Sequence, residues 1–152
     1  MTTTAIANRI NGNGTNGIEL HQAPKDNLAI WRAVETTDSG HTKPFEGRKG
    51  GFSGTSINPT YRAKRATELW GPIGIGWGFD EVEHFIADGA DGDKVWFSKV
   101  RLWYLHNGER GEVVQWGATT FVGTNRNGRF TDEEAGKKSI TDAVGKCLSL
   151  LG

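Results

Sequence analysis

The chain predicts an α+β domain: a three-stranded antiparallel β meander packed with a long C-terminal helix, a β-β-β-α core, preceded by a helix. Three observations lead there. Near the C-terminus Ile140, Ala143, Val144, Cys147, Leu148 and Leu151 recur at steps of three and four, the spacing that stacks side chains on one face of a helix. From Ile73 to Val122 the period is two, broken by turn signals. Between them and the N-terminus, Asn58-Pro59 and Gly71-Pro72 mark the start and stop of a helix.

In chain order, residues 1–24 form the expected N-terminal arm and residues 25–152 the core domain. Met1 to Gly17 is rich in Thr, Asn and Gly, and buries too little to offset its ordering entropy, so a mobile arm is expected. Leu28, Ile30, Trp31 and Val34 suggest a short helix over Asn27–Val34, anchored by Trp31. Glu35 to Ser56 reads as a long polar loop, which in a compact domain is usually functional or disordered. In the helix after Asn58, Ala63, Ala66 and Trp70 make an apolar side and Arg62 and Arg65 a cationic one.

Bulky Ile73, Ile75, Trp77 and Phe79 alternate with Gly74, Gly76 and Gly78, which reads as a strand with one bare face open to close approach. It turns through Asp88–Gly92 into a second strand, Val95–Leu105. That strand carries Val95, Phe97, Lys99, Arg101 and Trp103 on one side and Trp96, Ser98, Val100, Leu102 and Tyr104 on the other. Asn107-Gly108 is a strong hairpin signal before a third strand, Glu112–Val122. Gly123–Phe130 reads as a polar connection, and Thr131 with Glu134 has capping-box spacing for the closing helix. That helix is expected to turn Lys137, Lys138, Thr141, Asp142, Gly145, Lys146 and Ser149 outward.

The 152 residues suit one core, and the formal net charge is zero, so no global basic field argues for a partner. Charge is segregated instead. Lys43, Arg48, Lys49, Arg62, Lys64 and Arg65 stand against Glu46 alone, while Asp80, Glu81, Glu83, Asp88, Asp91 and Asp93 form a stretch without Lys or Arg. The lone Cys147 provides neither a disulfide framework nor a Cys-rich metal site and falls on the apolar helix stripe, a small core residue. No apolar run approaches the roughly 20 residues of a membrane span. The N-terminus lacks the order of a signal peptide, so a soluble, cytoplasmic protein is expected.

Enzymatic chemistry has no strong bearer in the sequence. The glycines around Gly74 follow a helix and sit in a strand, the reverse of a dinucleotide loop. His21, His41, His84 and His106 are scattered, and no Gly-x-Ser-x-Gly occurs. Asp80, Glu81 and Glu83 are the residues a metal-dependent nuclease would use, yet alternation puts Glu81 and Glu83 on one face and Asp80 on the other. Neither a cofactor nor a metal is implied. What remains is cationic: Lys43, Arg48, Lys49, Arg62, Lys64, Arg65, Lys99, Arg101 and Lys146, with Arg126 and Arg129, are enough to line one phosphate-tracking groove for a single strand.

Two stretches carry a resemblance. Ala66-Thr67-Glu68-Leu69-Trp70-Gly71 followed by Gly76-Trp77, and Ile140-Thr141-Asp142-Ala143 continuing through Lys146, Leu148 and Gly152, resemble the Rad-fifty-two-type single-strand annealing proteins, in their bacteriophage branch. The likeness spans roughly Asn58 to Gly152. It implies a non-enzymatic, ATP-independent protein of DNA recombination and repair, which binds single-stranded DNA and anneals complementary strands as a homo-oligomeric ring or helical arc. A single-strand binding protein or a phage exonuclease would be further candidate partners, and the host cytoplasm the location. Lys146 matches the second of two adjacent family cations, whereas Gly145, Ser149 and Tyr61 stand where the family has cations. Arg62, Arg65, Lys43 and Lys49 are the candidates to replace them. The rival readings are a metal-dependent phage nuclease and a purely structural phage assembly protein.

Overall fold

The computed structural model describes residues 26–46 and 52–152. The expected arm over residues 1–24 lies outside the described residues, as do Arg48 and Lys49. The elements run α1 (Ala29–Val34), β1 (Thr42–Phe45), β2 (Gly54–Ile57), α2 (Pro59–Trp70), β3 (Trp77–Asp88), β4 (Lys94–His106), β5 (Glu109–Asn125), β6 (Gly128–Thr131) and α3 (Ala135–Ser149), with 3-10 turns at Ser39–His41 and Ala90–Gly92. No described helix is long and apolar enough to cross a membrane.

The α+β class is as expected, but the meander has four antiparallel strands in the order β3-β4-β5-β6, not three. The extra strand comes from the segment taken as a polar connection. Asn125 accepts the Asn127 N–H at 2.8 Å and Gly128 takes a φ of 105°, so the run is a hairpin turn whose far side pairs Gly128–Thr131 with Val122–Asn125. Strand pairing is a backbone property, and a polar sequence meets it where a turn brings it back. Likewise the Glu35–Ser56 loop holds β1 and β2, an antiparallel pair with Lys43 opposite Ser56.

The first predicted strand begins late. Gly74, with φ 84°, Ile75 and Gly76 form a turn in which the last two donate to Pro72 O, and β3 starts at Trp77. The bare glycine face is filled at Gly76 and Gly78 and open at Gly74. A Cβ at Gly76 would overlap the Trp70 carbonyl at the end of α2, and one at Gly78 would meet the Trp103 indole at 2.9 Å. Further along, the register jumps from Glu81↔Val100 to Glu83↔Lys99, so Val82 is a bulge. Asp80 and Glu83 therefore share a face, opposite Arg101 and Lys99, and Glu81 lies on the other. This reverses the expected arrangement, because strict alternation fails where one residue is inserted.

The closing helix packs as a graded wedge. Ala135, Ser139, Ala143 and Cys147 lie four apart and are all buried, toward β4 and β5. Their small size lets the helix ride close to the sheet: Ser139 Oγ donates to Gly117 O at 3.0 Å, and a Cβ at Gly117 would overlap the Ser139 carbonyl. Ile140, Val144 and Leu148 form the next stripe and, with Ala63 of α2, line a crevice between the helices. Gly145, expected outside, is buried because the Arg62 guanidinium lies over it. The helix also starts later than Thr131, which the sheet uses. Glu134 is the N-cap and makes no side-chain cap bond; Asp132 Oδ1 instead accepts the Glu134 N–H at 3.1 Å, just ahead of the helix.

The core joins Ala66, Trp77, Leu102 and Cys147, with Trp70, Tyr104, Val113 and Leu148 around them. Trp77 donates to Thr67 Oγ1 at 3.2 Å, fastening α2 to β3. Burying side chains such as Trp77 and Leu102 contributes about 1.5–3 kcal/mol each. Trp31 is not the anchor of α1, being 44 % exposed; Ile30 and Val34 face inward instead.

Candidate functional site

The candidate cations are held on three different parts of the fold. Arg62, Lys64 and Arg65 lie within one turn of α2, Arg62 and Arg65 on one side and Lys64 turned away from them. That helix is fixed locally: Asn58 Oδ1 accepts from Thr60 N and Tyr61 N, Pro59 supplies the first position, and Gly71 ends it with φ 93°. Lys43 stands exposed on β1. The β1–β2 pair is tied to the start of α2, since Asn58 N donates to His41 O at 2.9 Å and the His41 ring stacks on Tyr61 at 4.3 Å. Lys43 thus belongs with the α2 cations.

Lys99 and Arg101 are elsewhere. They project from β4 on the sheet face opposite α3, in register with Trp116 and Val114. Each has an acid beside it: Lys99 is 3.9 Å from Glu83 and Arg101 3.6 Å from Glu112. Lys146 is committed to the sheet edge, bonding Asp142 at 2.8 Å and Trp116 O at 3.2 Å, while Asp142 Oδ2 accepts the Ala118 N–H at 3.0 Å. These two α3 side chains occupy the backbone of β5 where no further strand pairs with it. The seven candidates among the described residues therefore do not line one groove: Lys43, Arg62, Lys64 and Arg65 are carried by α2 and the hairpin tied to it, Lys99 and Arg101 by the far sheet face, and Lys146 by α3, where its partner Asp142 also acts on Arg62.

Within the α2 group the charges differ in availability. Arg65 bonds Glu68 and donates from Nη2 to Ala33 O at 2.6 Å, and Lys64 is 3.6 Å from Glu68. Arg62 is half-buried, and desolvation lowers its pKa against the opposing pull of Asp142. Among the described residues it makes no ion pair, and neither does Lys43. Arg126, exposed on the β5–β6 turn, is likewise without an ion pair, so Lys43, Arg62 and Arg126 are the described Lys and Arg side chains left for an incoming anion.

Sequence reasoning missed the aromatic character of the open sheet face. Phe85 stacks on Phe97 at 4.9 Å and meets Trp116 edge-on at 5.3 Å, while Lys99 and Arg110 lie over Trp116 and Trp103 at 5.4 and 4.7 Å. The alternation of β4 signalled half of it, but the partners on β3 and β5 depend on register. This face is charge-balanced, Asp80, Glu83 and Glu112 against Lys99, Arg101 and Arg110. A phosphate backbone gains little on such a face.

For the nuclease reading, the bulge sets Asp80 and Glu83 in register with Arg101 and Lys99, and Glu83 is ion-paired with Lys99. Among the described residues no group of three or more His, Cys, Asp or Glu is placed to hold a metal ion. Cys147 is buried, with its thiol against Val113 O at 3.6 Å, and desolvation raises its pKa, the setting of an inert thiol. No protein-family model matches this chain, and no curated protein matches it.

Proposed function

We propose that this chain binds single-stranded DNA through the phosphate backbone and anneals complementary strands without ATP, as a homo-oligomeric ring or arc serving recombination and repair in the host cytoplasm. The observation that carries this reading is that Arg62 and Arg65 share one side of α2 and Lys43 stands exposed on the hairpin tied to that helix, with neither Lys43 nor Arg62 in an ion pair among the described residues. Backbone contacts hold a strand without reading its sequence and leave base edges for pairing, which suits an annealer. The resemblance of Ala66–Gly71 and Ile140–Ala143 to Rad-fifty-two-type annealing proteins supports the same reading. An assembly of protomers would add many weak sites through avidity.

The deciding experiment measures oligonucleotide affinity across a salt series and pairing of labelled complementary strands without nucleotide. Affinity is expected to fall with a log-log slope of about −0.7 per phosphate contacted, and strands incubated with magnesium or manganese are expected to stay intact. A flat salt response with no pairing overturns the reading.

A further inference from the structure

On the open sheet face the aromatic rings already have neighbours: Phe85 and Phe97 stack on each other, and Lys99 and Arg110 lie over Trp116 and Trp103. The β1–β2 hairpin is different. Phe52, just ahead of β2, is 81 % exposed, and Phe45, at the end of β1, is 42 % exposed. Their ring centroids lie 5.9 Å apart with the planes inclined by 53°, so neither ring covers the face of the other. Both rest against Gly54, where a Cβ would meet Phe45 at 3.2 Å and Phe52 at 3.3 Å. That contact supports the rings from beneath and leaves Phe52 open to solvent.

The same hairpin face carries a charge. Alternation places Lys43 beside Phe45, across from Ser56 and Gly54 of β2, which add neither charge nor bulk. Ile57 belongs to the other face and lines the crevice against α1 and α2, so Lys43 and Phe45 are turned away from the body of the domain. Lys43 is exposed and makes no ion pair among the described residues. An unpaired cation beside open rings matches a ligand that holds a negative charge next to a flat π system. A purely apolar partner would cover the rings and leave the Lys43 ammonium desolvated without a counter-charge. A nucleotide in a single strand engages both, its base by stacking and its phosphate by the ammonium.

We propose that this hairpin face is a base-stacking site, in which Phe52 and Phe45 receive the ring of one unpaired nucleobase and Lys43 the phosphate beside it. This rests on the single-strand binding proposed above, and adds where a base, as distinct from the backbone, is held. Stacking uses the face of a base and leaves its Watson–Crick edge free, so a strand seated here stays open to its complement. It is also tolerant of sequence, because every base has a π face.

The test compares a short labelled oligonucleotide with an abasic strand of the same length, each titrated against the full chain and against Phe52→Leu, Phe52→Trp and Lys43→Gln. Leu keeps an apolar side chain and removes the ring, and a thermal melt checks that each variant is folded. Phe52→Leu is expected to weaken binding of the base-bearing strand about ten-fold, with the salt slope and the affinity for the abasic strand unchanged. Phe52→Trp restores the loss. Lys43→Gln weakens both strands and lowers the salt slope by about 0.7.

If Phe52→Leu binds the base-bearing strand as the parent does, or loses the same factor on both strands, the stacking site is overturned while single-strand binding stands. Equal loss on both strands together with a smaller assembly in sedimentation velocity assigns the two rings to a contact between copies of the chain instead. A chain that binds neither strand at low salt overturns the stacking site and the proposed function together.

Discussion

At the residue scale the fold depends on a few atoms with no room to move. Gly117 is the sharpest case, since a Cβ there would overlap the backbone carbonyl of Ser139 and cannot be relieved by turning a side chain. Gly117→Ala is expected to destabilise by about 3 kcal/mol or more, read as a lower denaturant midpoint. Asp132 yields a pH prediction. Its hydrogen bond to Lys138 is the main cause of its lowered pKa, joined by the Glu134 backbone N–H. Folded Asp132 therefore holds its proton less readily than unfolded Asp132, so its contribution is full above the unfolded carboxylate pKa and disappears as pH falls through the lower folded value. Asp132→Asn should flatten that acid limb in thermal melts against pH and lower the melting temperature at neutral pH, where the contribution of Asp132 is full.

At the scale of elements, α2 was readable because its determinants are local: Asn58, Pro59 and Gly71 act within a few residues of themselves. Asn58→Ala should cost about 1 kcal/mol in chemical denaturation. The start of α3 was misread since Thr131, a sound cap by spacing, is engaged in pairing with Val122. The same helix guards the sheet. Asp142 and Lys146 occupy Ala118 N and Trp116 O, so Asp142→Ala frees backbone groups on β5. We expect it to lower stability by about 1–2 kcal/mol and to increase non-native self-association, seen by light scattering below the melting temperature.

At the scale of the whole molecule, the separation of cations between α2 and the open sheet face sets what DNA binding should depend on. Neutralising Lys43 and Arg62 together, each to Gln, should reduce the salt slope by about 1.4, two phosphates at 0.7 each. Changing Lys99 and Arg101 to Gln should alter affinity less than two-fold, because Glu83 and Glu112 already balance them. Equal effects from the two pairs in an anisotropy titration would refute that division of labour.

By itself the sequence determined the class of the domain, the limits of α2, the sidedness of β4 and the burial of Cys147. Each depends on periodicity or on neighbours within one turn, forces that act along the chain before it folds. Tertiary structure alone decided the fourth strand, the bulge at Val82, the seating of Arg62 over Gly145 and the pairing of Lys99 and Arg101 with acids from neighbouring strands. These depend on which backbone lies beside which, a register set by the packing of distant segments and so invisible to local pattern.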